Sequence, residues 1–128
     1  MTPDVWGPPL WYTLHVKTFE YSIYPTEKDK KNAIEYFKNV DTLLPCAICK
    51  QHYNEYLIRR PVEYHVDTRN ELVFWLVDLH NEINAQNSKP ILSYREVFDI
   101  YTTRHTDRYL YIIMAILIAL IIVVLKRP

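Results

Sequence analysis

The chain has 128 residues, of which 49% are hydrophobic, and its 15 basic residues balance its 15 acidic residues. This length suits one small domain with a packed core, and the lack of a basic excess argues against a nucleic-acid-binding protein. Gly7 is the only glycine, which excludes the glycine-rich phosphate loops of dinucleotide-binding and P-loop proteins.

Two helices are predicted before residue 45, separated by Pro25. Pro8 and Pro9 can open the first helix, because proline fits the first turn. Thr26 and Asp29 can cap the second helix. Apolar residues recur at helical spacing in both helices. They are Leu10, Leu14, Val16, Phe19 and Ile23 in the first, and Ala33, Ile34, Phe37, Val40 and Leu44 in the second.

Three further helices are predicted after residue 45. Pro45 opens the third and Pro61 stops it. Capping boxes at residues 68–71 and 93–96 open the fourth helix and a short fifth one that runs to about Tyr101. The fourth carries an apolar stripe made of Leu72, Leu76, Leu79 and Ile83. No strand pattern competes, and the short connections favour antiparallel neighbours. The sequence therefore predicts an all-α fold, a four-helix bundle with a short fifth helix.

A C-terminal transmembrane helix is predicted over Tyr109–Leu125, which carries no charge. Its length of roughly 25 Å is at the short end for a membrane span. A buried core helix is the alternative, but branched residues all round the helix argue against it in so small a domain. We expect a domain at residues 1–105 and an anchor with a short basic tail at 106–128. A C-terminal anchor predicts a single-pass membrane protein whose domain lies in the cytosol.

Both cysteines lie in the sequence LPCAICKQHYNEYL, residues 44–57. A bridge between Cys46 and Cys49 would close too small a loop to stabilise the fold much. At a helix start, backbone N–H groups and the helix dipole stabilise a thiolate, which favours a redox-active pair. Zinc is the alternative, with His52 as third ligand. The candidates for the fourth ligand are His15, His65, His80 and His105.

Two further groups of residues share helix faces. Trp11 and His15 do so on the first helix, where a core ring beside a hydrogen-bonded histidine is the simpler interpretation. On the fourth helix a polar stripe runs beside the apolar one, and a solvated face would explain it equally well. Its members, with the residues that flank it, are Trp75, His80, Asn81, Asn84 and Lys89.

Taken together, three motifs resemble the Erv/ALR family of FAD-linked sulfhydryl oxidases. They are WGPxxWxxLH at residues 6–15, PCxxCxxH at 45–52 and WxxxxHNxxN with a following lysine at 75–89. The resemblance covers nearly all of residues 5–101, and it implies a helical bundle that holds FAD without a glycine-rich turn.

The resemblance also implies roles for individual residues. Cys46 would exchange with a substrate dithiol, and Cys49 would pass electrons to FAD. Positions that match cofactor contacts or lie beside them are Gly7, Trp11, His15, Trp75, His80, Asn81, Asn84, Lys89 and, as a weaker match, Tyr101. His52 follows the motif at the family's spacing, with no role implied.

The implied activity is that of a thiol oxidase, which forms disulfides in partner proteins and passes the electrons to oxygen, giving hydrogen peroxide. A further disulfide of cellular members is absent, since Val77 and Tyr94 stand at its positions, and there is no second CxxC to act as a shuttle. We therefore expect a protein dithiol, such as a thioredoxin-like or CxxC carrier, as direct substrate. This minimal layout resembles the forms encoded by large DNA viruses, and the family implies a homodimer. A membrane-tethered zinc adaptor is the alternative.

Overall fold

The computed structural model describes the backbone of residues 2–125, and the side chains of that range except residues 103–109, 123 and 124. Every regular element in this part of the chain is helical, which confirms the predicted all-α fold. The α-helices are α1 (Pro3–Phe19), α2 (Glu27–Lys38), α3 (Ala47–Arg59), α4 (Arg69–Gln86), α5 (Tyr94–Phe98) and α6 (Arg104–Leu125). Two 3₁₀ segments (Val40–Leu43 and Val62–His65) and a π-helical segment (Asp99–Thr103) complete the set.

The chain divides into two compact units, Met1–Leu92 with helices α1 to α4 and Ser93–Pro128 with α5 and α6. The domain boundary predicted at residue 105 stays a prediction. Within the described residues, we find no helix with the length and apolar character needed to cross a membrane. The transmembrane span predicted over Tyr109–Leu125 is therefore not confirmed, and the basic tail at residues 126–128 lies outside the described residues.

Helix α1 differs from its prediction at both ends. It begins at Pro3 after Thr2, so that Pro8 and Pro9 lie inside the helix instead of opening it. Neither proline has an N–H to donate to the carbonyl one turn earlier, yet the helix continues through them. It ends at Phe19, which leaves Ile23 outside the helix and exposed rather than on an apolar helix face.

Local capping signals are confirmed elsewhere. Thr26 precedes α2 as predicted and forms a reciprocal capping box with Asp29, and Ser93 and Glu96 form the predicted capping box of α5. Helix α2 ends at Lys38, earlier than its apolar pattern predicts. The pattern continues through the first 3₁₀ segment, which keeps Val40 buried.

Trp75 of α4 lies at the centre of the core and holds α3 in place. Its ring contacts Phe37 of α2 edge-on, with centroids 5.3 Å apart, and its indole N–H donates to the Arg60 carbonyl at 2.9 Å. The Tyr56 hydroxyl donates to the Trp75 carbonyl at 3.0 Å, and the Tyr53 hydroxyl donates to the Phe37 carbonyl at 2.6 Å. Helix α3, which follows the cysteine pair, is thus tied to α2 and α4 from buried positions.

Candidate active site

Cys46 and Cys49 form a disulfide at the start of α3, with their Cα atoms 5.2 Å apart. The prediction placed Cys46 inside the helix. It is instead the N-cap residue, since α3 begins at Ala47, and its Sγ accepts a hydrogen bond from the Cys49 N–H at 3.3 Å. Both cysteines are half-buried, and Cys49 packs against the hydrophobic core. The pair is therefore within reach of solvent on one side and of the protein interior on the other.

A zinc site finds no support at this pair. The two sulfurs are bonded to each other, and no group of three or more His, Cys, Asp or Glu residues in the described part of the chain could hold a metal ion. The side chain of His105, one candidate ligand, lies outside the described residues. His52 is half-buried on α3.

Three aromatic rings meet where α1 packs along α4. The ring of Trp11 stacks on that of His80, with centroids 3.9 Å apart and planes 8° from parallel. His15 lies one turn along α1 from Trp11 and is fully buried. Its Nε2 is 3.0 Å from Nδ1 of His80, so one ring donates a hydrogen bond to the other. The structure thus brings together Trp11, His15 and His80, three predicted site residues from two helices that are distant in sequence.

Both histidines of this cluster are held neutral. Burial, with a smaller contribution from the nearby His80, lowers the pKa of His15 to about 3. Burial also lowers the pKa of His80 to about 4, with a smaller contribution from the positive charge of Lys89. At neutral pH the histidines of the cluster are therefore uncharged and largely desolvated, with the rings of Trp11 and His80 nearly parallel and that of His15 tilted to both.

The other predicted residues of α4 hold the loop that follows it. The Asn81 side chain donates to the Leu92 carbonyl at 2.8 Å and accepts from its N–H at 3.0 Å. Asn84 donates from its side chain to the Pro90 carbonyl at 3.1 Å, and its backbone carbonyl accepts from the Lys89 N–H at 2.8 Å. These contacts give both asparagines a structural task in fixing residues 87–92.

Lys89, at the turn of this loop, reaches back to the start of α1. Its Nζ lies 3.0 Å from Oδ1 of Asp4, and both side chains are largely exposed. An exposed ion pair of this kind contributes little stability. The pair nevertheless places the ammonium group at the end of α1 that carries Trp6 and Gly7.

Trp6, in the first turns of α1, belongs to the motif at residues 6–15 but had no predicted role. The indole N–H of Trp6 is buried and has no hydrogen-bond partner among the described residues. Gly7 beside it is buried, yet a Cβ atom added there would meet no atom within 4 Å. A buried donor without an acceptor costs free energy, so the Trp6 N–H suits a bound group that carries acceptors. The sequence signal that could have identified Trp6 is its position directly before Gly-Pro.

The two remaining predicted residues are Trp75 of the first unit and Tyr101 of the second. Trp75 is fully buried in the core, where its contacts are those already described. Tyr101 is half-buried in the π-helical segment of the second unit. Their predicted contacts with a cofactor stay predictions, as do those of the other residues.

Comparison with known proteins gives a consistent result. The model of the Erv1 / Alr family matches residues 8–103. The chain is 33% identical over 96 residues to an FAD-linked sulfhydryl oxidase of African swine fever virus, covering 75% of this chain and 79% of the relative. It is 34% identical over 100 residues to a protein of Acanthamoeba polyphaga mimivirus named a probable FAD-linked sulfhydryl oxidase, covering 77% and 70%.

The fold matches solved structures of the same family. The FAD-binding domain of Erv1 from Saccharomyces cerevisiae superposes with a TM-score of 0.75 at 22% identity, covering 80% of this chain and 96% of that domain. The yeast Erv1 core superposes with a TM-score of 0.70 at 23% identity, covering 75% and 80%. At this level of identity the likeness shows the fold.

Proposed function

The chain belongs to the Erv1/Alr family, and on that premise we propose that it is an FAD-dependent thiol oxidase that forms disulfide bonds in partner proteins. The observation that carries the proposal is the disulfide between Cys46 and Cys49 at the start of α3, half-buried and packed against the core through Cys49. A disulfide that closes so small a loop stabilises a fold little. We therefore assign this disulfide a redox function, in which it is reduced and formed again.

The chemistry at this pair is thiol–disulfide exchange. A substrate thiolate attacks Sγ of Cys46, the bond between the two cysteines breaks, and Cys49 leaves as a thiolate. The second substrate thiol then attacks the mixed disulfide and releases Cys46. Cys49 lies in the first turn of α3, where unpaired N–H groups and the helix dipole stabilise an anion. Both cysteines are half-buried, so the assignment of Cys46 as the sulfur that meets the substrate rests on the family resemblance.

The residues present fit FAD. The stacked, nearly parallel rings of Trp11 and His80, the buried Trp6 N–H and the open space at Gly7 suit a planar ring system rich in hydrogen-bond acceptors. FAD, when bound, takes up the electron pair of the dithiol and delivers it to oxygen. The residues proposed to hold it are Gly7, Trp11, His15, Cys49, Trp75, His80, Asn81, Asn84, Lys89 and Tyr101. Lys89 would bring a positive charge for a phosphate group.

The proposal is tested on the purified full chain. We expect a yellow protein with absorbance near that of bound flavin, which oxidises dithiothreitol and forms one hydrogen peroxide per dithiol. Cys46→Ser and Cys49→Ser should each retain flavin and lose protein-dithiol oxidation. A colourless protein that contains one zinc ion per chain would refute the oxidase and favour the adaptor.

Partner, assembly and location are proposed at a finer level. A protein dithiol, such as a thioredoxin-like or CxxC carrier, would be the direct electron donor, because the chain has no second cysteine pair. A homodimer would form as well, a proposal that family membership supports. The viral sources of the relatives support a viral origin.

We also propose that the C-terminal segment anchors the protein in a membrane, with the oxidase domain on the cytosolic side. The support is the uncharged run over Tyr109–Leu125 and the exposure of its described apolar side chains at residues 110–122. Flotation of the full chain with lipid vesicles tests the anchor. Recovery of the protein with the soluble fraction would contradict it.

A further inference from the structure

A shallow cavity of about 370 Å³ opens on the surface where α2 meets the first 3₁₀ segment. Its lining residues are Asn32, Glu35, Tyr36, Asn39, Thr42 and Leu43. Two of the polar side chains are engaged locally: Asn39 donates to the Glu35 carbonyl at 2.7 Å, and Thr42 donates to the Asn39 carbonyl at 2.7 Å. The apolar surface in the cavity therefore comes from the ring of Tyr36 and the side chain of Leu43.

The cavity lies close to the disulfide. Three peptide links separate Leu43 from Cys46 along the chain, and each spans 3.8 Å between Cα atoms, so the two Cα atoms are at most about 11 Å apart. An extended peptide advances about 3.3 Å per residue. A segment whose cysteine engages Cys46 is therefore long enough to reach Leu43 with a side chain about three positions away.

Two exposed apolar residues lie close to the cysteines in the chain. Leu43 is 59% exposed, and Ile48, between the two cysteines, is 54% exposed. A single exposed leucine needs no explanation. Here, however, two exposed apolar residues lie near the disulfide that a substrate must reach. An apolar substrate segment that covers them would bind more tightly.

We propose that the cavity at Tyr36 and Leu43 binds the protein substrate, receiving an apolar side chain about three residues from the attacking cysteine of an extended dithiol segment. The proposal rests on the proposed thiol oxidase function and names the substrate class of the same site. Leu43 and Tyr36 then determine specificity, and Ile48 packs against the residues next to the substrate cysteine.

Binding in this cavity presents the substrate thiol to one sulfur. The substrate thiolate forms a bond to Sγ of Cys46 while the bond from that sulfur to Cys49 breaks, so the electron pair goes to Cys49. The second substrate thiol loses its proton to solvent and displaces Cys46 from the mixed disulfide. The substrate has lost two electrons and two protons, and the cysteine pair has gained the two electrons.

The test compares the rate at which dithiol peptides are oxidised with the rate for a small dithiol. The peptides carry Cys-x-x-Cys with either leucine or serine three residues before or after the pair, and dithiothreitol serves as a substrate that needs no side-chain pocket. The FAD-loaded full chain is compared with Leu43→Ser. Ile58→Ser is the matched control, because Ile58 is an exposed residue (79%) of α3, more than two turns beyond Cys49.

We expect the wild type to favour one leucine peptide over its serine counterpart about tenfold in kcat/KM, the effect of covering one leucine side chain. Leu43→Ser should remove this preference, while Ile58→Ser keeps it and all three proteins oxidise dithiothreitol equally. A preference that survives in Leu43→Ser, or none in the wild type, overturns the docking site while leaving the oxidase intact. Failure of the wild type with dithiothreitol overturns the oxidase and the docking site together.

Discussion

Replacement of Trp11 by alanine should weaken FAD binding while the helices stay folded. The ring stacks on His80 at 3.9 Å, and an aromatic pair of this kind contributes about 0.5–1.5 kcal/mol beyond its buried area. Removal of a fully buried tryptophan costs about 3–5 kcal/mol. Trp11 is only half-buried, so we expect a loss of about 2 kcal/mol. If that loss falls on binding, FAD affinity decreases roughly 30-fold.

Flavin content, from the ratio of visible to protein absorbance, and far-UV circular dichroism are measured on the same sample. Trp11→Ala should show reduced flavin content with an unchanged helical spectrum. Tyr24→Ala is the control, because it also truncates an aromatic side chain, but one that is 88% exposed. Normal flavin content in Trp11→Ala would refute the placement of the cofactor at this cluster.

Three further outcomes are expected. His15 and His80 have pKa values of about 3 and about 4, below the usual 6.5. Between pH 6.5 and these lowered values the unfolded chain binds more protons than the folded chain. The free energy of unfolding should therefore be highest above pH 6.5 and fall as the pH drops towards 3. Urea titrations should show a flatter pH profile in His15→Gln/His80→Gln. Tyr56→Phe removes the hydrogen bond to the Trp75 carbonyl and should lower the free energy of unfolding by about 1 kcal/mol, measured by urea denaturation. Deletion of residues 108–128 should give a soluble, flavin-loaded oxidase, checked by gel filtration and absorbance.

Each of these outcomes can be contradicted. Equally steep pH profiles in the wild type and in His15→Gln/His80→Gln would contradict the assignment to these two histidines. Tyr64→Phe alters an exposed tyrosine and should leave stability unchanged. Aggregation of the truncated chain without flavin would show that the deleted segment belongs to the core.

Local chemistry predicted the helices, and its limits explain the errors at their ends. A capping box is a contact within four residues, so Thr26 with Asp29 could be identified in the sequence. Proline fits the first turn of a helix, but it can also lie inside a helix that continues despite the missing hydrogen bond. Pro8 lies inside α1, so it did not mark the start of that helix. Apolar spacing alone could not tell the end of α2 from a 3₁₀ segment that keeps Val40 buried.

The candidate site depends on contacts between distant parts of the chain. His15 and His80 are 65 positions apart, and only the family resemblance connected them. The tasks of Asn81 in holding the loop and of Trp75 in the core could not be read from a helical stripe, because both depend on where other segments pack. The buried N–H of Trp6 was missed for the same reason, since burial is not visible in sequence.

The visible spectra of two cysteine variants test the central claim most directly, namely that Cys46 receives the substrate while Cys49 serves the flavin. Both variants are prepared as FAD-loaded full chains. Cys46→Ser leaves a free Cys49 thiolate, and we expect a broad long-wavelength charge-transfer band above the flavin spectrum. Cys49→Ser should bind as much FAD and lack the band. A band in Cys49→Ser alone would reverse the two roles, and no band in either variant would contradict the placement of Cys49 at the flavin.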